Sequence, residues 1–200
     1  MECPAGMDYI QPHDLIFGEE QHMKEITLKN GQICTLRDAE KKDAQAIMDY
    51  LDTVCAESDF LSFGPGEFGM DLAQEEAFLE AQSKQENALF ILAEVDGKII
   101  GNINFTGGKR PRMQHVGAFG ISVLKEYWGM GLGQELIAHM IHWAKEHGIR
   151  KINLAVRTDN DKGVHLYKKM GFKEEGVSER EQCVKGIFYD CILMGMKVDP

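Results

Sequence analysis

No apolar run in this 200-residue sequence approaches the roughly 20 residues that a membrane-spanning helix needs, so no membrane association is expected. The first ten residues hold no basic start followed by an apolar stretch, and no secretory leader is read there. Basic residues are outnumbered, 22 Lys and Arg against 32 Asp and Glu, for a formal net charge of −10. Such a balance repels a phosphate backbone and removes nucleic acid from the expected partners. It favours a cationic substrate, although an acidic surface also serves plain solubility. The five cysteines (Cys3, Cys34, Cys55, Cys183 and Cys191) are odd in number, scattered, and never two residues apart. That pattern argues against a disulfide framework or a zinc site and fits a reducing compartment, so a cytoplasmic location is expected. There is no internal repeat and no low-complexity tract.

What is present suits one globular domain. Hydrophobic residues make up 44% and charged residues 27%, over a length that builds one sizeable core. Residues 1–22 lack periodicity and read as an extension; residues 23–200 read as the domain. Ile26 and Leu28 alternate before Asn30-Gly31, and Ile33, Thr35 and Arg37 follow, which predicts a hairpin whose two turn residues take positive φ. Helical spacing runs over 43–57, a breaker-rich loop covers 58–70, and a second helix is expected over 72–85. Strands are expected at 88–94 and 98–106 around Asp96-Gly97, and again at 115–123. The clearest helix spans 132–147, with Leu132, Leu136, Ile137, Met140, Ile141 and Ala144 on one stripe. A strand at 151–156, a short helix at 161–170 stopped by Gly171, and two strands at 172–181 and 187–196 close the chain. Hairpins imply antiparallel pairing, and the helix between 115–123 and 151–156 implies one parallel crossover. The fold class expected is α/β: one mixed, mostly antiparallel sheet flanked by helices.

The sharpest chemical feature is the strand–turn–helix around Trp128-Gly129-Met130-Gly131-Leu132-Gly133. Alternating glycines let the backbone approach a ligand, and a helix N-terminus offers unpaired N–H groups and positive dipole density. Together they make an anion cradle suited to a pyrophosphate. Gln134 breaks the dinucleotide fingerprint, and no Lys-Ser or Lys-Thr comes after it to make a P-loop. A bare glycine-rich helix start remains an alternative on these residues alone. Farther on, Asn160 can cap a helix or touch a ligand, and Tyr167 shares a face with Gly163 and Met170, as a core tyrosine also would.

The glycine turn resembles the pyrophosphate loop of the GNAT family of N-acetyltransferases, in which Arg or Gln, two residues, Gly, one residue, and Gly or Ala follow a strand. Trp128 stands where that family usually has Arg or Gln. The segment from Asn160 to Phe172 resembles the family's second signature, with Gly163 in place of the usual Ala. Strand and hairpin order match from about residue 24 to 198. The resemblance implies acetyl-CoA as co-substrate and transfer of its acetyl group to a primary amine by direct attack in a ternary complex. It implies a cofactor-binding set of Ile121, Ser122, Val123, Trp128, Gly129, Met130, Gly131, Leu132, Gly133, Gln134 and Asn160, with Tyr167 as the general acid for the departing thiolate. The acceptor is expected near loop 58–70, where Phe60, Phe63, Glu67 and Phe68 offer aromatic walls and one acid to an ammonium, or serve as a plain loop anchor. It would be a small-molecule or peptide amine, and many relatives are homodimers. The segment 116–120 holds no carboxylate where the family often keeps its general base; His115, Glu57, Asp59 and Glu67 remain as candidates. A non-catalytic acyl-CoA-binding domain is the competing reading, and a nucleotide-binding protein a weaker one. His139, His142 and His147 read as solvent-facing, and Trp143 as packing.

Overall fold

The structure is a computed structural model that describes residues 23–199; the extension read at 1–22, with Cys3, lies outside them. Among the described residues eight strands form one open sheet in the order β1-β2-β3-β4-β5-β6-β8-β7. They are β1 (Lys24–Thr27), β2 (Ile33–Asp38), β3 (Ala88–Val95), β4 (Lys98–Gly107), β5 (Val116–Val123), β6 (Lys151–Arg157), β7 (Lys173–Val184) and β8 (Ile187–Lys197). Every neighbouring pair is antiparallel except β5 and β6, which the long helix separates in sequence. The four α-helices among the described residues are α1 (Ala44–Glu57), α2 (Leu72–Gln82), α3 (Leu132–Glu146) and α4 (Asp161–Lys169). The mixed, mostly antiparallel sheet expected from the sequence is therefore present.

The turns differ in kind. Asp96 and Gly97 both take positive φ, 51° and 75°, as a two-residue hairpin with right-handed strand twist requires. At the first hairpin only Gly31 does, at 86°; Leu28 N–H donates to the Gln32 carbonyl, so the loop is longer than the Asn-Gly pair suggested. Lys185-Gly186 makes a third tight turn at φ 52° and 81°, which extends β7 beyond the expected 172–181.

The core lies on both sheet faces. Ile47, Leu51 and Val54 of α1 are buried, as are Leu136, Ile137 and Met140 of α3. Burying each aliphatic side chain contributes roughly 1.5–3 kcal/mol. Cross-strand partners share a face, which assigns the helices to sides. Ser122 pairs with Asn102 and meets Tyr50 of α1. Phe105 pairs with Phe119; Trp143 of α3 packs edge-on to Phe105, and Tyr167 of α4 to Phe119. Thus α1 lies on one face, and α3 and α4 lie on the other. Helix α2 packs beside α1 and against β3.

Local caps fix where each helix starts and stops. Asp71 and Gln74 form a reciprocal cap at the start of α2, each side chain accepting from the other's backbone N–H at 2.9 Å. The chain leaves α3 through Gly148 (φ 70°), with Ile149 N–H donating back to the Ala144 carbonyl. The same closure ends α4: Gly171 takes φ 96° and Phe172 N–H donates to the Tyr167 carbonyl, which fixes Phe172 beside Tyr167. His139 and His147 are half-buried where exposure was expected, and His147 stacks on Trp143 with centroids 4.5 Å apart. His142 is exposed beside Glu146, and Trp143 is a buried packing residue.

Candidate active site

Strands β5 and β6 pair only through Val116–Lys151, Gly117–Ile152 and Ala118–Asn153. Beyond Ala118 they diverge, and the backbone edge of β5 from Phe119 to Val123 turns to a cavity of about 1340 Å³. Gly120 lies at this divergence because Asn104 reaches over it: its Oδ1 accepts from Gly120 N–H at 3.1 Å, and a Cβ there would meet that oxygen at 2.9 Å. Ser122 is held from behind. Its hydroxyl donates to Asn102 Oδ1 at 2.7 Å and accepts from the Tyr50 hydroxyl at 2.8 Å. Burial lifts the Tyr50 hydroxyl well above the usual tyrosine pKa, so it remains a donor.

The glycine turn closes one side of the cavity. Gly129 and Gly131 take φ 75° and 94°, and nothing lies within 4 Å of where a Cβ would stand at either. This open concavity, bounded by the first N–H groups of α3, fits a pyrophosphate. Gly133 is different: its Cβ would press on Leu166 at 3.2 Å, so its smallness serves the packing of α4. Trp128 also lines the cavity, but its indole N–H donates to the Val123 carbonyl at 2.7 Å and staples the turn to the end of β5. Lys162 Nζ lies 5.7 Å from the centre of the same ring.

Asn160 caps α4 by accepting from Gly163 N–H at 3.0 Å. Gly163 is accommodated there because a Cβ would come within 2.8 Å of the Asn160 amide nitrogen. Tyr167, seven residues on, stands edge-on to Phe119 and Phe172 at 5.9 and 6.1 Å. Among the described residues nothing hydrogen-bonds its hydroxyl, and burial pushes its pKa up to about 12. The ring packs against the core as a structural tyrosine's would, while the residue also lines the cavity.

Of the residues singled out from the sequence, the structure gathers Ile121, Ser122 and Val123, the glycine turn, Gln134, Asn160 and Tyr167 around this one cavity. Met130 is the exception: it packs against the core, and its carbonyl accepts from Lys29 N–H at 3.2 Å. Phe60, Phe63 and Phe68 line the cavity too, with Phe63 and Phe68 in contact at 5.5 Å. Glu67 lines it as well, with its Oε2 accepting from Gly64 N–H at 2.8 Å. Of the candidate bases, Asp59 and Glu67 line the cavity, and Glu57 and His115 do not. Glu57 accepts from Lys125 N–H at 2.7 Å, His115 lines a separate hollow, and Asp59 pairs with Lys185 at 3.4 Å.

Two residues absent from the sequence reading belong to the site. Arg157, 5% exposed at the end of β6, grips Asp159 with two hydrogen bonds of 2.9 and 2.7 Å. It donates a third to the Asp59 carbonyl at 2.8 Å and lies over the rings of Tyr189 and Phe60, so it ties loop 58–70 to the sheet. Only its spacing to Asp159 hints at this in the sequence. Glu75 also lines the cavity from α2 while being 1% exposed. Its signal is the inner face of α2, where Glu75 and Gln82 occupy buried positions beside Leu79.

The described residues contain no group of three or more His, Cys, Asp or Glu placed to hold a metal ion. No described helix is long and apolar enough to cross a membrane.

Comparison with known proteins agrees with this geometry. The model of the acetyltransferase (GNAT) family matches residues 55–172. A GNAT-family acetyltransferase from Streptococcus pneumoniae superposes with a TM-score of 0.80 at 38% identity, over 82% of this chain and 99% of that one. An uncharacterized prophage-derived N-acetyltransferase of Bacillus subtilis is 28% identical over 86% of this chain and 93% of its own. An L-amino acid N-acetyltransferase of Escherichia coli is 31% identical over 52% of this chain, a match that spans 65% of that protein. The chain belongs to the acetyltransferase (GNAT) family of acetyl-CoA-dependent acyltransferases.

Proposed function

We propose that this protein moves an acetyl group from acetyl-CoA to a primary amine by direct attack within one ternary complex. The observation that carries the reading is the juxtaposition around one cavity of the β5–β6 divergence, the glycine N-terminus of α3 and the Tyr167 hydroxyl. N–H groups of the turn 129–134 would hold the pyrophosphate, and the free edge 121–123 would pair with the pantetheine arm. When bound, acetyl-CoA supplies an activated acyl carbon. A backbone N–H of β5 donates to the carbonyl oxygen as negative charge grows there, where a fixed dipole costs no reorganisation.

Tyr167 donates toward the departing sulfur. Its pKa of about 12 lies above the thiol value of about 8.5, so the hydroxyl keeps its proton and steadies the growing negative charge through a hydrogen bond; CoA leaves as the thiolate, and the proton lost from the nitrogen passes to water. Deprotonating an amine of pKa about 10 at neutral pH costs about 4 kcal/mol. Asp59 and Glu67 line the cavity but are engaged with Lys185 and with Gly64 N–H, so water reaching the cavity is the proton acceptor this reading favours. The acceptor enters beside loop 58–70, where Arg157 fixes the backbone at Asp59. One relative is an L-amino acid N-acetyltransferase.

The test is thiol release from acetyl-CoA across a panel of primary amines. Release with at least one amine supports the enzyme. Tight acetyl-CoA binding with no release for any amine supports the competing acyl-CoA-binding domain.

A further inference from the structure

Glu75 has an environment that acyl transfer to a simple amine does not explain. Its carboxylate is 1% exposed, and its Oε2 has no hydrogen-bond partner. A buried carboxylate without a partner costs several kcal/mol unless it is neutralised or met by a cation. Burial accordingly raises its pKa above the ordinary carboxylate value. Yet it lines the cavity, among apolar walls that include Phe63, Phe68, Phe78 and Phe90.

The protein brings no cation to it. Four Lys or Arg side chains line the same cavity, Lys29, Arg157, Lys162 and Lys185, together with His165. Arg157 is committed to Asp159, and Lys185 to Asp59. Lys162 sits over Trp128, and Lys29 adjoins the glycine turn through its bond to Met130. None pairs with Glu75 among the described residues. A positive charge for Glu75 must come from what enters the cavity.

Glu75 and Tyr167 also stand at different ends. Helix α2 packs on β3, two strand spacings from β5, or roughly 10 Å. Tyr167 is on the other face of the sheet, beside Phe119. An amine beside Tyr167 lies across the sheet from α2, and one molecule carrying two cationic nitrogens on a hydrocarbon spacer can serve both groups. The phenylalanines suit the spacer, since ammonium and methylene groups both lie well on aromatic faces.

We infer that Glu75 is an acceptor anchor: the preferred acceptor is a flexible dication whose distal ammonium is held by Glu75 while its other amine is acetylated. The inference rests on the acetyltransferase reading and narrows its substrate class. No bond forms at Glu75, and the reacting nitrogen exchanges one proton for one acetyl group.

The experiment compares α,ω-diaminoalkanes from butane to octane with monoamines of matched length, using wild-type protein and Glu75→Gln in the thiol-release assay. The expected result is a wild-type preference for diamines. Glu75→Gln should lower kcat/KM for the diamines by about 30-fold or more, through KM, as expected for a truncated buried charge pair. The loss on matched monoamines should be at least about tenfold smaller. Equal use of monoamines and diamines by wild-type protein would overturn the inference and leave the acetyltransferase standing. So would an equal loss on both by the variant. No release with any amine would overturn the enzyme reading itself. Should Glu75→Gln fail to fold, calorimetry of wild-type protein with CoA bound decides: diamines must bind and matched monoamines bind at least about tenfold more weakly, or the anchor is wrong.

Discussion

Replacing Tyr167 by Phe removes one oxygen from the cavity and nothing from the packing. The ring contacts with Phe119 and Phe172 are edge-on and do not involve the hydroxyl. Each such pair is worth about 0.5–1.5 kcal/mol, which the variant keeps. The hydroxyl has no partner among the described residues, so no hydrogen bond is lost, and stability should change by less than about 0.5 kcal/mol. A satisfied hydroxyl would instead have cost about 1 kcal/mol. If the hydroxyl donates to the departing sulfur, kcat should fall by roughly 10²–10³, equivalent to about 3–4 kcal/mol of transition-state stabilisation. Acetyl-CoA affinity should hold, because that interaction strengthens only as charge reaches the sulfur. Burial pushes the hydroxyl pKa to about 12, so the donor stays protonated, and no loss of rate should trace to it until pH approaches that value. Thiol release and melting temperature on one sample decide the matter. A normal kcat with a lowered melting temperature would refute the donor role and return Tyr167 to packing.

Two other places bear on stability. Arg37 bridges Asp43 (2.7 and 2.8 Å) and Glu94 (2.6 and 3.1 Å) across β2, β3 and the start of α1. Arg37→Met should cost about 3 kcal/mol in urea denaturation by stranding two carboxylates, and a cost under about 1 kcal/mol would show the cluster to be solvated. Burial works to raise the Asp43 pKa, but hydrogen bonds from Arg37 and from Glu40 N–H hold it below the ordinary value. Its contribution is therefore whole above about pH 4 and lost as pH falls through the lower folded value. An acid titration of wild-type stability should show that loss, and Arg37→Met should flatten it. Leu136→Ala, at a fully buried position of α3, should cost about 2–5 kcal/mol, read as a drop in the denaturation midpoint.

How much of the fold and the site is legible in the sequence depends on the range of the interaction. The α3 stripe and the glycine turn are local patterns, so their periods and breakers announce them. Tyr167 is seven residues from Asn160, and one helix sets both. The β5–β6 divergence is not local: nothing in 119–123 or 154–157 says that pairing stops at Ala118. Arg157 and Glu75 escape a sequence reading for related reasons. Arg157 acts through Asp59, 98 positions away, and through a ring on β8. Glu75 looks like an ordinary surface acid on a helix whose apolar stripe is poorly drawn. Glu67 lines the cavity as the loop reading expects, and the sequence does not show that one of its oxygens also accepts from Gly64 N–H. Trp128, expected as a ligand contact, also uses its indole to shape the turn.

The open concavity at Gly129 and Gly131 carries the cofactor assignment, and calorimetry of CoA binding to wild-type protein, Gly131→Ala and Gly131→Asp tests it most directly. Both substitutions meet the same backbone strain at φ 94° and point into the same empty space, but only Asp brings a negative charge. A unit charge a few ångströms from a diphosphate costs at least about 2 kcal/mol at a partly screened surface, or roughly 30-fold in Kd. The predicted result is a Kd for Gly131→Asp at least that much weaker than for Gly131→Ala. Equal affinity for CoA in the two variants would contradict the placement of the pyrophosphate at the N-terminus of α3.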